Sequence, residues 1–323
     1  MWPRILHIVL EPEVDPRADE YTPFLPAPKG LMGAHIGLAA QLVRVCRSWH
    51  TLLLPTLCQD IQLGRGPIPL LKHARRVVLS YASTDESTVE QLRQCTDIRI
   101  LCRPHWSPQA YYIGGYNQDA APAIALPSLQ RLECDIPPES NCTGINSLVD
   151  TLLQSQNLRY LYLNSRTGIE IPQYLPTRVE LPLLETLRIH YQLGYTIQHL
   201  LAAWVLPTLK SLILDNPLIH ANLEGFWASV GKTLTRVELG PTSRFQHYDY
   251  LDLCLQHCPV LQDLGYYVWA ANPPSHRRSH ARLQRLRLHL GRWIDFTNRM
   301  LQDHLTEFNH PGMPSLTTCI ELP

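Results

Sequence analysis

From residue 125 onward one short phrase keeps returning, and it limits the possible folds more than any other feature of the chain. It reads ALPSLQRLECDI at 125–136, SQNLRYLYLNS at 155–165, ELPLLETLRIHY at 180–191 and VLPTLKSLILDN at 205–216. GKTLTRVELGP (231–241), HCPVLQDLGYYV (257–268), HARLQRLRLHLG (280–291) and MPSLTTCIEL (313–322) continue it. The common skeleton is Leu-x-x-Leu-x-Leu, and its first leucine stands at 129, 158, 184, 209, 234, 261, 283 and 316. The intervals are therefore 29, 26, 25, 25, 27, 22 and 33 residues. Such a unit is too small to bury its own apolar surface, so copies must stack and share a core.

All intervals but the last fall inside the period of about 20–29 residues that marks leucine-rich repeats. Between the phrases the periodicity becomes helical. Ile145, Leu148, Val149, Leu152 and Leu153 form one stripe; Ile197, Leu200, Leu201, Trp204 and Val205 form another; Leu223, Phe226, Trp227 and Val230 form a third. Each unit is expected to be a strand followed by a helix. The array is expected to begin earlier, with strands at 75–82 and 98–102 and a helix at 84–95 opened by Asp85. A regular leucine-rich repeat has Asn or Cys three residues past the last Leu of the phrase. Here Pro137, Arg166, Gln192, Pro217, Thr242, Trp269 and Gly291 stand there, which predicts an irregular horseshoe. Residues 103–124, rich in Tyr, Pro and Gly, read as a long loop.

Alternation along a strand places the residues between the leucines on the other, concave face. Its central row reads Glu133, Tyr162, Arg188, Ile213, Glu238, Gly265 and Arg287. Flanking it are Arg131, Asp135, Tyr160, Asn164, His190, Asp215, Arg236, Asp263, Tyr267, Arg285 and His289. Tyr and Arg are favoured at binding hot spots. Tyr160, Tyr162, Arg188, His190, Arg236, Glu238, Arg285 and Arg287 are the candidate ligand-binding residues, and their mixed charge points to a protein ligand.

The whole chain has no electrostatic bias: Lys+Arg and Asp+Glu are both 28 in 323 residues. The stretch 276–293 departs from this balance, with arginines at 277, 278, 282, 285, 287 and 292 and no acid. It is either a solvated face or a site for an acidic, phosphorylated or nucleic-acid partner. Nine cysteines without paired short spacings, and no secretory leader, predict a reducing cytoplasmic and/or nuclear setting. Asn141-Cys142-Thr143 is then an accidental sequon. No apolar run approaches the ~18 residues of a membrane span.

Ahead of the repeats lie two amphipathic pieces. MWPRILHIVLE (1–11) puts Trp2, Ile5, Leu6 and Val9 on one side. In the 38–54 stretch Leu38, Leu42, Val45, Cys46, Trp49 and Leu53 form one stripe, and Pro55 is expected to close the helix. Five prolines in 12–30 make the intervening stretch a spacer. From the residues alone the apolar face either caps the first repeat or docks a partner.

The order of a short apolar helix, a gap, LVRVCRSW (42–49) and LPTL (54–57) resembles an F-box, in the form that precedes repeats in many fungal F-box proteins. The matching residues are Ile5, Leu6, Ile8, Val9, Leu42, Val45, Cys46, Arg47, Trp49, Leu54, Pro55, Leu57 and Ile61. The family opens with Leu-Pro-x-Glu, which would fall ahead of Met1, so the first turn of the motif is expected to be missing. The resemblance implies that residues 1–63 bind the Skp-type adaptor of a cullin-based ubiquitin ligase, and that the repeats hold a protein substrate. Trp2, Ile5, Leu6, Val9, Leu42, Val45, Cys46, Trp49 and Leu53 would make the adaptor contact.

No motif for catalysis, phosphate or dinucleotide binding occurs, and neither a catalytic residue nor a cofactor is expected. Cys254, His257 and Cys258 have no second cysteine pair and sit at helical spacing, so they read as core rather than zinc ligands. The expectation is therefore an α/β chain: an F-box-like helical segment at 1–63, then an irregular leucine-rich-repeat solenoid at 64–323. Its function would be substrate reception for a ubiquitin ligase. The alternatives are a scaffold without a ligase role and a nucleic-acid binder acting through 276–293.

Overall fold

A computed structural model describes residues 41–58, 60–63, 71–79, 90–92, 94–102, 126–136, 149, 151–165, 178–190, 203–214, 223–240, 250–274, 280–290, 294–309 and 316–321. The chain forms two compact units, 1–135 with 143–160, and 136–142 with 161–323. The first amphipathic piece and the 103–124 loop lie outside the described residues.

The first unit contains helix α1 (Arg47–Leu57) and strands β1 (Asp60–Leu63), β2 (Arg76–Leu79), β3 (Ile100–Cys102) and β4 (Arg131–Ile136). Neighbouring strands pair parallel in chain order, with Asp60 opposite Arg76, Arg76 opposite Ile100, and Ile100 opposite Arg131. β2 and β3 lie within the segments expected from sequence, whereas β1 was not expected.

The 38–54 stretch is not one continuous helix. Residues 43–45 form a turn, in which Arg44 N–H donates to Gln41 O at 3.2 Å and Val45 N–H to Leu42 O at 3.1 Å. Val43 and Val45 are β-branched, which weakens the helix at this point. α1 then starts at Arg47 and runs through Pro55 instead of stopping there; Cys58 N–H donates to Leu54 O at 3.0 Å. Pro55 has no N–H for the carbonyl of Thr51, and the helix ends two residues later. The break splits the expected stripe. Leu53 is 2% exposed, with Leu42, Val43 and Trp49 packed against it, while Val45 is 62% exposed and Cys46 is also exposed.

β5 (Tyr160–Ser165) lies at the division between the units. The second unit continues with β6 (Thr186–His190), β7 (Ser211–Leu214), α2 (Leu223–Val230), β8 (Arg236–Leu239), α3 (Tyr250–His257), β9 (Asp263–Tyr267), β10 (Arg285–His289), α4 (Ile294–Phe308) and β11 (Thr317–Glu321). From β6 to β11 each strand pairs parallel with the next one in the chain.

The repeated phrase maps onto a repeated backbone device. The first leucine of the phrase sits two residues before its strand in most units, and Leu129, Leu158, Leu184, Leu209, Leu234, Leu261 and Leu283 are fully buried. Each donates its N–H to the carbonyl three residues earlier, at Leu126, Ser155, Leu181, Leu206, Gly231, Cys258 and His280. The next unit is tied on by a shared acceptor: Lys210 and Ser211 both donate to Glu185 O, Thr235 and Arg236 to Lys210 O, Gln262 and Asp263 to Thr235 O, and Gln284 and Arg285 to Gln262 O. The first unit repeats this at Arg75, Arg99 and Gln130. Among the described residues, the strand entries within each unit are thus fixed by the ones before them, and the register follows.

Leu187, Leu212, Val237, Leu264 and Leu286 fall opposite one another, as do Ile189, Leu214, Leu239, Tyr266 and Leu288. These residues are buried and form the core face. Trp227 of α2 is fully buried and Trp204 nearly so, as expected of core residues; Trp204 itself is not helical, and Val205, expected on the same helical stripe, forms a parallel bridge with Glu180. Leu251, Cys254 and Leu255 of α3 and Cys258 just past its end are buried, at i, i+3, i+4 and i+7, and Asp252 is buried beside them. Gly231, just past α2, permits close contact with the end of α3: a Cβ there would lie 2.5 Å from His257 O. α4, absent from the sequence reading, buries Leu301, His304 and Phe308.

Candidate functional site

On the face opposite the core, strand alternation aligns three rows in the second unit. The first is Thr186, Ser211, Arg236, Asp263, Arg285 and Thr317. The central row is Arg188, Ile213, Glu238, Gly265, Arg287 and Cys319, in the order read from the sequence. The third brings Tyr267, His289 and Glu321 together.

The central row was expected to line an open face. Instead Glu133, Tyr162, Arg188, Ile213, Glu238 and Gly265 are buried. The charges among them survive burial because they are paired. Glu238, at 0% exposure, accepts from Arg236 Nε at 3.1 Å and Arg236 NH2 at 3.0 Å, and also pairs with Arg287. Arg287 lies two strands away from Glu238, on the far side of β9. The reach is possible because Gly265 stands between them: a Cβ there would come within 2.4 Å of Glu238 Oε2. Arg287 Nε also donates to Asp263 Oδ1 at 3.1 Å, and Arg285 reaches Asp263 Oδ2 at 3.5 Å. His289 Nε2 is 4.0 Å from Glu238 Oε2. Three guanidiniums and two carboxylates therefore form one chain of contacts across β8, β9 and β10.

The Arg-rich 276–293 stretch thus draws acids from neighbouring strands, a pairing that the linear sequence hides. Arg277, Arg278 and Arg292 lie outside the described residues, and Arg282 is exposed.

In the first unit Arg131 donates through Nε to Glu133 at 2.8 Å, and its guanidinium lies 4.0 Å from the centroid of Tyr160. In the second, Arg188 lies 4.6 Å over Tyr162. Tyr160 and Tyr162 are buried. His190 ends β6. Of the expected ligand-binding residues whose burial is described, Arg285 is the most exposed, with 62% of its side chain accessible, and Arg236 is half-buried. At the far end of the same face Tyr267 stacks on His289 (centroids 4.9 Å, 22°) and meets Trp269 edge-on at 6.2 Å. Tyr267 and Trp269 are half-buried. The sequence reading placed Tyr267 in a flanking row but did not single out this aromatic group.

Of the expected adaptor-binding residues, Trp2, Ile5, Leu6 and Val9 lie outside the described residues. Val45 and Cys46 are exposed, Leu42 and Trp49 are half-buried, and Leu53 is buried.

Cys254 and Cys258 are fully buried, and a hydrogen bond with Cys258, together with burial, pushes the Cys254 thiol far up. Tyr266 Oη lies 2.9 Å from His304 Nδ1; burial raises the tyrosine and lowers the histidine to about 4, so the pair is neutral. Among the described residues no group of three or more His, Cys, Asp or Glu could hold a metal ion, and no helix is long and apolar enough to cross a membrane.

No protein-family model matches this chain, and no curated protein matches it. Among solved structures, the crystal structure of a Bacteroides fragilis protein from a structural genomics programme is similar at a TM-score of 0.43 and 13% identity. It covers 79% of this chain and 67% of that one.

Proposed function

We propose that this chain is a substrate receptor of a Skp–cullin–F-box ubiquitin ligase. Residues 1–63 dock the adaptor, and an irregular leucine-rich-repeat horseshoe holds a protein substrate on the strand face opposite its leucines. The setting would be cytoplasmic and/or nuclear. One observation carries the reading: in the Leu42–Trp49 segment that resembles an F-box, Val45 is 62% exposed and Cys46 is exposed beside it, while Leu53 anchors the segment from within. Apolar side chains presented next to a packed anchor have surface to gain by binding a partner.

The repeated strand entries support the second half of the reading, since stacked units give a rigid platform on which side chains keep fixed spacings. The internal pairing of Arg285 and Arg287 with acids favours a protein ligand over a nucleic-acid backbone, which would need free positive charge. Affinity capture of the full chain followed by mass spectrometry tests the proposal. Recovery of a Skp-type adaptor with its cullin is the expected result. A chain that captures neither, at expression levels where a known receptor captures both, overturns it.

A further inference from the structure

We infer that the start of α1 docks on an acidic patch of its protein partner: Arg44 and Arg47 take carboxylates there, and Val45 enters an apolar recess between them. The inference rests on the ligase reading and adds to it the chemistry by which the adaptor is recognised.

The segment has two sides. Leu42, Val43 and Trp49 pack against Leu53, so these side chains serve the chain's own packing. On the outward side Arg44, Val45, Cys46, Arg47 and Ser48 are consecutive and all exposed, Val45 at 62%. The turn at 43–45 creates this surface. Val45 N–H donates to Leu42 O, and Cys46 stands just outside the helix, its carbonyl accepting from His50 N–H at 2.9 Å. Had the helix run through the turn, Val45 would share the stripe of Leu42 and Trp49.

Charge then names the partner. Residues 41–58 hold two arginines, one histidine and no acid. Arg44 and Arg47 are both exposed, and among the described residues neither pairs with an acid, whereas Arg131, Arg236 and Arg287 all do. No acid stands in the first turn of α1, so the positive end of the helix dipole adds to theirs. Guanidinium forks match planar carboxylates. Two charges give little hold on a nucleic-acid backbone, whose affinity grows with each phosphate contacted. A bilayer would need an apolar helix face, and the apolar side chains here are turned onto Leu53.

The test follows association of the purified full chain with a purified Skp-type adaptor by stopped-flow fluorescence, from ~0.05 to ~0.5 M salt. Association should slow as salt rises. Arg44→Gln/Arg47→Gln should slow it about tenfold at low salt and flatten the salt dependence, while Arg44→Lys/Arg47→Lys should keep most of both. Arg282→Gln, an exposed arginine of the second unit, should change neither. The thermal midpoint of each variant checks that the fold is kept.

An adaptor that binds without salt dependence, or equally fast to the double Gln variant, overturns this inference and leaves the ligase reading standing. No adaptor binding at all overturns both. Duplex DNA or phosphatidylserine vesicles held more tightly than the adaptor, through the same two arginines, assign the patch to another class of partner and overturn it.

Discussion

Arg131-Leu132-Glu133 in the first unit and Arg236-Val237-Glu238 in the second set the same two charges at the first and third positions of a strand. Both arginines reach their glutamates two residues on, through Nε, at 2.8 and 3.1 Å. What surrounds them differs. Arg131 lies against the ring of Tyr160, an uncharged neighbour. Glu238 looks across Gly265 to a second guanidinium, and through Arg287 joins Asp263 and Arg285. A repeated Arg-x-Glu therefore does not have a repeated role. The residue on the next strand sets what the pair meets: a tyrosine ring beside Arg131, and a glycine that opens the way to Arg287 beside Glu238.

The largest effect should come from removing the two glutamates. Glu238→Ala leaves Arg236 and a nearly buried Arg287 facing an emptied site, and should cost about 3–5 kcal/mol. Glu133→Ala leaves Arg131 on its tyrosine, and should cost about 1–2 kcal/mol. Urea denaturation of both variants measures the difference, and equal losses would show that the two pairs are equivalent.

Acid should separate the units further. His304 in the second unit has its folded pKa lowered from 6.5 to about 4 by burial, so the neutral ring is the folded form. Its contribution is complete above pH 6.5, is lost as the pH falls, and is gone once the pH passes below 4. At 1.36 kcal/mol per unit the loss approaches about 3 kcal/mol. Hydrogen exchange at β9 amides should speed up over this window. His304→Gln, which keeps an acceptor for Tyr266, should flatten the dependence. An unchanged acid limb in that variant would place the effect elsewhere.

A smaller effect tests the gap itself. Gly265→Ala puts a Cβ 2.4 Å from the Glu238 carboxylate, and should cost about 1–3 kcal/mol by forcing it aside. In the Glu238→Ala background the same change should cost much less. Additive losses would mean that Gly265 matters for some other reason.

Much of this platform was legible in the sequence. The Leu-x-x-Leu-x-Leu phrase located β4 to β11, because a leucine before each strand, buried from β4 to β10, and alternation within the strand both leave periodic marks. The order of the central row, Arg188 to Arg287, followed from alternation alone. Its burial did not, because exposure depends on side chains reaching across strands. Glu238 meets Arg287 49 residues later, and Tyr266 meets His304 38 residues later. Neither pairing has a local signature. Gly265 looked like a weak point in a strand, and its use appears only once Glu238 is placed beside it. The break at 43–45 was obscured because Leu42, Val45, Cys46 and Trp49 fit a helical stripe that the backbone does not continue. α4 did leave a signal, since Ile294, Leu301, Leu305 and Phe308 recur at helical spacing.

If residues 1–63 dock a ligase adaptor as proposed, the exposed edge at Val45 and Cys46, and not the strand face, makes the contact. Calorimetric titration of the full chain with a Skp-type adaptor tests it directly. The wild-type chain should bind saturably at one site. Val45→Asp places a charge on a residue that is already 62% exposed, so it should leave the thermal midpoint in place and weaken binding about tenfold or more. A wild-type chain that gives no saturable binding, or a Val45→Asp chain that binds as tightly, would contradict the claim.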